Sequence, residues 1–277
     1  MKLLIADSGA TKTEWRVVDG GSVKSIATAG ISPVQLKPAQ IKKILKQEVL
    51  PVAGADVDEI FLYGAGAVGE LKDALQECLR DVFPAARIEI ESDMLAACRA
   101  LFGDEPGIAC IMGTGSNCCF WDGSQMTAVA KGGGYILGDE GSGADMGKRF
   151  LSDYIKALVP AALVKEFDKR YGLTYADIVA KVYRDEAPSR FLASFSPFIA
   201  EHRNHPYVKN LIMESLQQFI SRNVMHYDPR RYRVGFVGSI AEVYQDIISQ
   251  IFRNSGFKLG PRCKSPIEGL VRYHSGK

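Results

Sequence analysis

Apolar and polar positions change their period several times along the chain, and each change marks an element. Residues 3–6 form an unbroken apolar run, the pattern of a buried strand, which stops at Asp7. The next stretch, Asp7-Ser8-Gly9-Ala10-Thr11-Lys12-Thr13, has the small and hydroxyl-bearing residues of a turn, and residues 14–18 read as a returning strand. Asp19-Gly20 then supplies a tight hairpin, since both residue types accept the positive φ that such turns require, and residues 22–27 make a third strand. The same order recurs later: residues 108–112, the turn Gly113-Thr114-Gly115-Ser116, residues 117–121, Asp122-Gly123 and residues 126–131. Two copies of one pattern predict two similarly built domains, the second beginning near Gly107.

Between the copies the period lengthens. Ile41, Ile44, Leu45 and Val49 share a helical face, as do Leu71, Ala74, Leu75, Cys78, Leu79 and Val82, while residues 60–63 and 87–91 read as strands. Residues 94–102 make a helix with Ser92 or Asp93 at its N-cap. Beyond the second hairpin set the chain reads as largely helical to Glu201. Residues 207–226 form a long helix with Leu211, Ile212, Leu216, Phe219 and Ile220 on one face. Residues 233–237 then make a strand, Gly238-Ser239 a turn and residues 241–254 a further helix. Stripes of this kind are core faces.

Composition narrows the function classes. With 277 residues, 47% hydrophobic and 24% charged, the chain is long enough for two cores. A net charge of +2, with acids and bases interspersed, lacks the basic stripe of a nucleic-acid binder. No apolar run approaches the roughly 20 residues that span a bilayer, and the N-terminal run meets Asp7 too soon for a signal peptide, so a soluble, cytoplasmic protein is expected. The six cysteines form no C-x-x-C pair and fall mostly in apolar runs, where Cys behaves as a small hydrophobe. His202 and His205 stand three apart, but no cysteine pair or acidic partner completes a metal site.

Several stretches carry candidate chemistry. In the first turn, small residues let backbone N–H groups approach a phosphate, Thr and Lys add donors, and Asp7 at a strand end can hold a hydrated Mg²⁺; a solvated hairpin has the same composition. Gly113-Thr114-Gly115-Ser116 is a second phosphate-turn candidate, short but supported by the repeat. Residues 132–143 read GGGYILGDEGSG, six glycines in twelve residues around an acid pair, which is more than a flexible surface loop needs and favours a site loop. Val237-Gly238-Ser239-Ile240-Ala241 runs from strand to helix through a glycine, suiting either a nucleotide or plain packing. Asp93 is an N-cap by residue type, or a base that accepts a hydroxyl proton. Gly64-Ala65-Gly66-Ala67-Val68-Gly69 matches G-x-G-x-x-G, with Glu89 and Glu91 ending the next strand, which keeps a nicotinamide or flavin enzyme in play; that reading leaves the repeated hairpins unexplained.

Taken together, DSGATKTEW, IMGTGSNCCFW, GGGYILGDEGSGADMGKR and VGSIAEV resemble the motifs of the BadF/BadG/BcrA/BcrD ATPase family, in its N-acetylglucosamine kinase-like branch, over essentially the whole chain. The resemblance implies an α/β fold of the actin/hexokinase superfamily: two actin-like (ribonuclease H-like) domains with mixed sheets and a nucleotide cleft between them. The domains implied are 1–106, with a C-terminal helix at about 266–277 packing back on it, and 107–265. ATP and Mg²⁺ are the implied cofactors, with Asp7 binding Mg²⁺ through water and Asp93 as the catalytic base. Ser8, Gly9, Thr11, Lys12, Thr13, Gly113, Thr114, Gly115, Ser116, Gly238 and Ser239 would line the nucleotide. Ser32, Gly64, Gly66, Gly132, Gly133, Gly134, Asp139 and Glu140 would lie near the sugar.

Two positions depart from the family pattern. Ser8 stands where relatives often carry glycine, and the loop Gly30-Ile31-Ser32-Pro33-Val34-Gln35 offers Ser32 or Gln35 where an asparagine often meets the sugar. The expected reaction is phosphorylation of an amino sugar, N-acetylglucosamine or a relative such as N-acetylmuramate. The alternative is an ATP-driven switch acting on a partner enzyme, although the cysteines show no cluster-bridging pattern. The sugar is the expected partner, with no nucleic acid or membrane; the resemblance admits a homodimer that no residue marks.

Overall fold

In a computed structural model, which describes every residue except Ala10, Thr11, Ala67, Val68 and Lys277, the chain folds as two compact units. One comprises Met1–Asp104 and Ser265–Lys277, the other Glu105–Lys264. In the first unit, β1 (Lys2–Ser8), β2 (Lys12–Asp19), β3 (Ser22–Ala29), β4 (Glu59–Gly64) and β5 (Arg87–Glu91) form a mixed sheet in the order β3-β2-β1-β4-β5. The hairpin strands are antiparallel, with Asp7 opposite Glu14, whereas β4 and β5 join in parallel, with Tyr63 beside Asp7. Asp19 pairs with Ser22, so the β2–β3 turn consists of Gly20 and Gly21, one residue beyond the expected Asp-Gly. Both glycines have positive φ, +52° and +87°, which a two-residue turn matched to the strand twist demands.

β1 reads as an unbroken apolar run because both its faces are covered. Leu4 and Ala6 face one core with Trp15, Ile60, Leu62, Leu75 and Leu79. Leu3 and Ile5 face another with Tyr63, Ile267 and Leu270, the last two from the C-terminal helix Ile267–Ser275. Each such fully buried aliphatic side chain contributes about 1.5–3 kcal/mol relative to exposure. The C-terminal helix crosses the helix Asp93–Phe102 at Gly269, where a Cβ would come within 2.5 Å of the Ala100 carbonyl oxygen.

The second unit repeats this plan. β6 (Gly107–Met112), β7 (Ser116–Trp121), β8 (Met126–Thr127), β9 (Val234–Val237) and β10 (Leu259–Cys263) lie in the order β8-β7-β6-β9-β10, again a three-strand meander followed by two parallel strands. The repeat legible in the hairpins thus extends to strands whose spacing in the chain hides it. β8 stops at Thr127 rather than running on to residue 131. The helix expected over 207–226 spans Pro206–Arg222 and continues only as a 3₁₀ turn, Val224–Tyr227. That expected over 241–254 starts at Ser239 and breaks at Tyr244, a fully buried residue with φ −107° and ψ 24°. A helical layer with Phe150, Phe167, Phe198, Ile212 and Phe219 packs on this sheet. No helix among the described residues is long and apolar enough to cross a membrane.

Candidate functional site

In the first unit the candidate residues converge at the C-terminal end of β1. Gly9 N–H donates to the Lys12 carbonyl at 2.9 Å and closes the turn. The Ser8 and Thr13 hydroxyls lie 3.0 Å apart, and Thr13 Oγ1 accepts from Ile31 N–H at 3.2 Å. Thr13 has no exposed surface, so its hydroxyl braces the turn against the 30–35 loop. Thr11 lies outside the described residues. Ser32 is buried, and its carbonyl accepts from Gln35 and Leu36 N–H at 3.0 Å each. A Cβ on Gly66, at φ +76°, would approach Val34 to 2.9 Å, and one on Gly64 would sit 3.3 Å from the Ser8 carbonyl oxygen. The Gly64–Gly66 turn therefore lies against both the Ser8 turn and the Ser32 loop.

Three carboxylates gather here. Asp7 is pushed up to about 6, first by loss of hydration, then by the charges of Glu14 and Asp93, against a hydrogen bond from Ser265. Glu14 is held below its ordinary value, chiefly by Lys12, whose Nζ lies 2.6 Å from Oε1. Ser265 Oγ stands 2.9 Å from Glu14 Oε2 and 3.4 Å from Asp7 Oδ2. Asp93 is raised by burial, opposed by the N–H of Met94, which donates to its Oδ1 at 2.9 Å. The capping of the Asp93–Phe102 helix falls to Ser92, whose side chain accepts from Leu95 N–H. Asp93 is the first helical residue and is released from the cap role that its residue type suggests.

In the second unit the two glycine motifs interlock. Gly143 N–H donates to the Gly113 carbonyl at 2.9 Å and Ala144 N–H to that of Thr114 at 3.0 Å. Ser116 N–H donates to Asp139 Oδ1 at 3.1 Å, and Ser116 Oγ to the Glu140 carbonyl at 2.7 Å. Asp139 is raised by burial and sits at φ +58°; a Cβ on Gly115 would touch its carboxylate at 3.0 Å. Glu140 is buried, with Arg222 Nε 2.9 Å from its carboxylate. Gly133 comes so close to Leu137 and Gly138 that a Cβ would lie 2.7 Å from the Leu137 carbonyl carbon, whereas Gly134, at φ +62°, and Gly132 are unobstructed by comparison. Thr114 is exposed. Gly238, at φ +125°, is the N-cap of Ser239–Val243, and a Cβ there would collide with the Met112 carbonyl oxygen at 2.2 Å.

The sequence reading omitted Glu14, Ser265 and Asp145. Glu14 was recoverable from hairpin register, as the residue opposite Asp7. Ser265 was not, because it lies 251 positions from Glu14. Asp145 is buried on the helix Gly143–Ile155, where its Oδ2 accepts from Ser215 Oγ at 2.7 Å and Arg149 Nε at 2.9 Å. Among the described residues no three His, Cys, Asp or Glu side chains stand close enough to hold a metal ion directly. A cation at Asp7 would therefore be held through water and a ligand's own oxygens, a mode Mg²⁺ favours because it dehydrates reluctantly. The excess of negative charge around Asp7 fits such an ion.

No family model matches the chain. It is 43% identical to a candidate N-acetylglucosamine kinase from Porphyromonas gingivalis of known crystal structure, with 99% of each chain covered and a TM-score of 0.93. The N-acetylmuramic acid/N-acetylglucosamine kinase of Clostridium acetobutylicum is 26% identical over 76% of this chain and 72% of its own. A glucosamine kinase of Vibrio cholerae is 27% identical over 67% of this chain and 63% of its own.

Proposed function

The chain belongs to the N-acetylglucosamine kinase-like branch of the BadF/BadG/BcrA/BcrD family of actin-like ATPases, and on that premise we propose that it transfers the γ-phosphoryl group of ATP to a hydroxyl of an amino sugar. N-acetylglucosamine or a close relative such as N-acetylmuramate is the acceptor, and the reaction belongs in the cytoplasm. The observation that carries the reading is the set of acids around Asp7 at the end of β1, beside a glycine and hydroxyl turn: Glu14 lies opposite it across the hairpin, Ser265 bridges the two, and the charge of Asp93 acts on it.

MgATP, when bound, supplies the phosphoryl group and neutralises much of the charge that develops on it. Asp7 holds the hydrated cation, with Lys12 and the backbone of Gly9 as the first unit's phosphate donors; the exposed Thr114 and the backbone of Gly113–Ser116 are the candidate phosphate donors of the second. Ser8 and Thr13 keep the first turn in shape through their mutual hydroxyl contact. Gly238, which has no side chain to obstruct approach, and Ser239 lie on the adenosine side. Asp93 accepts or orients the proton of the attacking hydroxyl; its raised affinity for a proton makes it a better base than an exposed carboxylate. The candidate sugar contacts are Ser32, Gly64 and Gly66 on the first unit and Gly132–Gly134 and Asp139 on the second. Glu140, committed to Arg222, holds the loop that presents Asp139.

The test is ATP consumption with Mg²⁺ across glucose, glucosamine, N-acetylglucosamine, N-acetylmannosamine and N-acetylmuramate. Strong stimulation by an amino sugar is expected. Hydrolysis indifferent to every sugar would replace this reading with that of an ATP-driven switch.

A further inference from the structure

Ser265 is the residue at which the chain re-enters the first unit, immediately before the C-terminal helix. Its hydroxyl is placed with little freedom. Ile267 N–H donates to Oγ at 3.4 Å, so the single hydroxyl proton is left for the two carboxylates on the other side, Glu14 at 2.9 Å and Asp7 at 3.4 Å. The segment that carries Ser265 is itself anchored. Ile267 and Leu270 are buried in the core beneath β1, Gly269 packs on Ala100, and Glu268 meets Arg16 of β2 at 2.7 Å. Glu14 extends the chain of contacts, because its other oxygen meets Lys12 Nζ at 2.6 Å. One continuous line therefore runs from the turn lysine through Glu14 and Ser265 to Asp7.

We propose that Ser265, acting with Glu14, is a positioning residue for Asp7: its hydroxyl fixes Asp7 Oδ2 so that a hydrated divalent cation and a nucleotide's phosphates are held at the end of β1. This rests on the cation-binding role of Asp7 in the function proposed above. Two neighbouring carboxylates repel, and a carboxylate free to rotate away would present its oxygens to water in many directions. A hydroxyl that bridges both keeps them side by side, leaving the second oxygen of Asp7 available to the cation's water shell.

The experiment measures binding of Mn²⁺ with ADP to the full chain by the electron paramagnetic resonance of free Mn²⁺, for the wild type, Ser265→Ala and Ser265→Thr. Ser265→Ala is expected to weaken Mn²⁺–ADP binding about tenfold, through loss of a hydrogen bond to a charged group, and Ser265→Thr to restore it to within about twofold. A merely structural role would lower the melting temperature of the ligand-free chain without changing the affinity. Equal affinity in wild type and Ser265→Ala overturns the inference, as does a wild type that binds no Mn²⁺–ADP. Weakened binding in Ser265→Ala alongside a wild type that phosphorylates no sugar would uphold the inference while removing the kinase reading.

Discussion

The two glycine turns come from one repeated pattern, yet they treat charge in opposite ways. After β1, Asp7, Glu14 and Asp93 crowd together, and the direct cation contact, from Lys12, falls on Glu14. After β6, Asp139, Glu140 and Asp145 are also partly or fully buried, but Glu140 and Asp145 meet the guanidinium groups of Arg222 and Arg149, whereas among the described residues Asp7 and Asp93 meet only the neutral donors Ser265 Oγ and Met94 N–H. Buried carboxylates are normally charge-paired, so Glu140 and Asp145 read as scaffold and the first cluster as a place that awaits positive charge. The same supersecondary unit can therefore carry its acids ion-paired or short of positive charge, according to whether the surrounding elements bring cations or further acids.

That contrast can be broken by substitution. The largest effect is expected for Asp93→Asn, which should lower sugar phosphorylation by about 10³-fold while leaving nucleotide affinity nearly unchanged; comparable rates in a coupled assay would remove Asp93 from the chemistry. Asp145→Ala, in the satisfied cluster, strands Arg149 and Ser215 and should destabilise by about 3 kcal/mol in urea unfolding. A loss below about 1 kcal/mol would show that the network is dispensable.

Asp7→Asn should act in the opposite direction. A carboxyl raised from 3.8 to about 6 binds its proton more tightly in the folded chain, so stability falls as pH rises between those values and stays lower above them. At pH 7 and without divalent cations, the variant should therefore be more stable than the wild type, by of the order of 1–3 kcal/mol before screening by solvent. At pH 3.5 the difference should vanish, and Mg²⁺ with nucleotide should stabilise only the wild type. Thermal melts at the two pH values decide it; a variant less stable at pH 7 would mean that the charge at Asp7 is already compensated. The smallest effect, about 1 kcal/mol, is expected for Ser142→Ala, which removes the hydroxyl that accepts from Asp145 N–H at the start of Gly143–Ile155. Activity per folded molecule should be unchanged, and a large loss of activity would give the Ser142 cap more than a scaffolding part.

Local signals were legible where neighbouring residues settle the outcome. The β1 run, the glycine turns and the amphipathic stripes of Glu70–Val82 and Pro206–Arg222 depend on backbone preference and period, both written within a few positions. The hairpin register even contained Glu14, opposite Asp7. Ser92 and Asp93 were equivalent as cap residues on paper; backbone geometry assigned the cap to Ser92. The interlock of Ser116 with Asp139 and Glu140 spans 23 and 24 positions, and no local rule forecasts which of those side chains is consumed in bracing.

By itself, then, the sequence determined the duplicated strand-and-turn plan, the candidate phosphate turns and the family they resemble. Chain-local sterics and hydrophobic period suffice for those. Only the tertiary structure decided which acids stand beside one another and which meet donors. Electrostatic and hydrogen-bond partners are set by distance in space, and Ser265 reaches Asp7 across 258 positions of chain that no pattern connects.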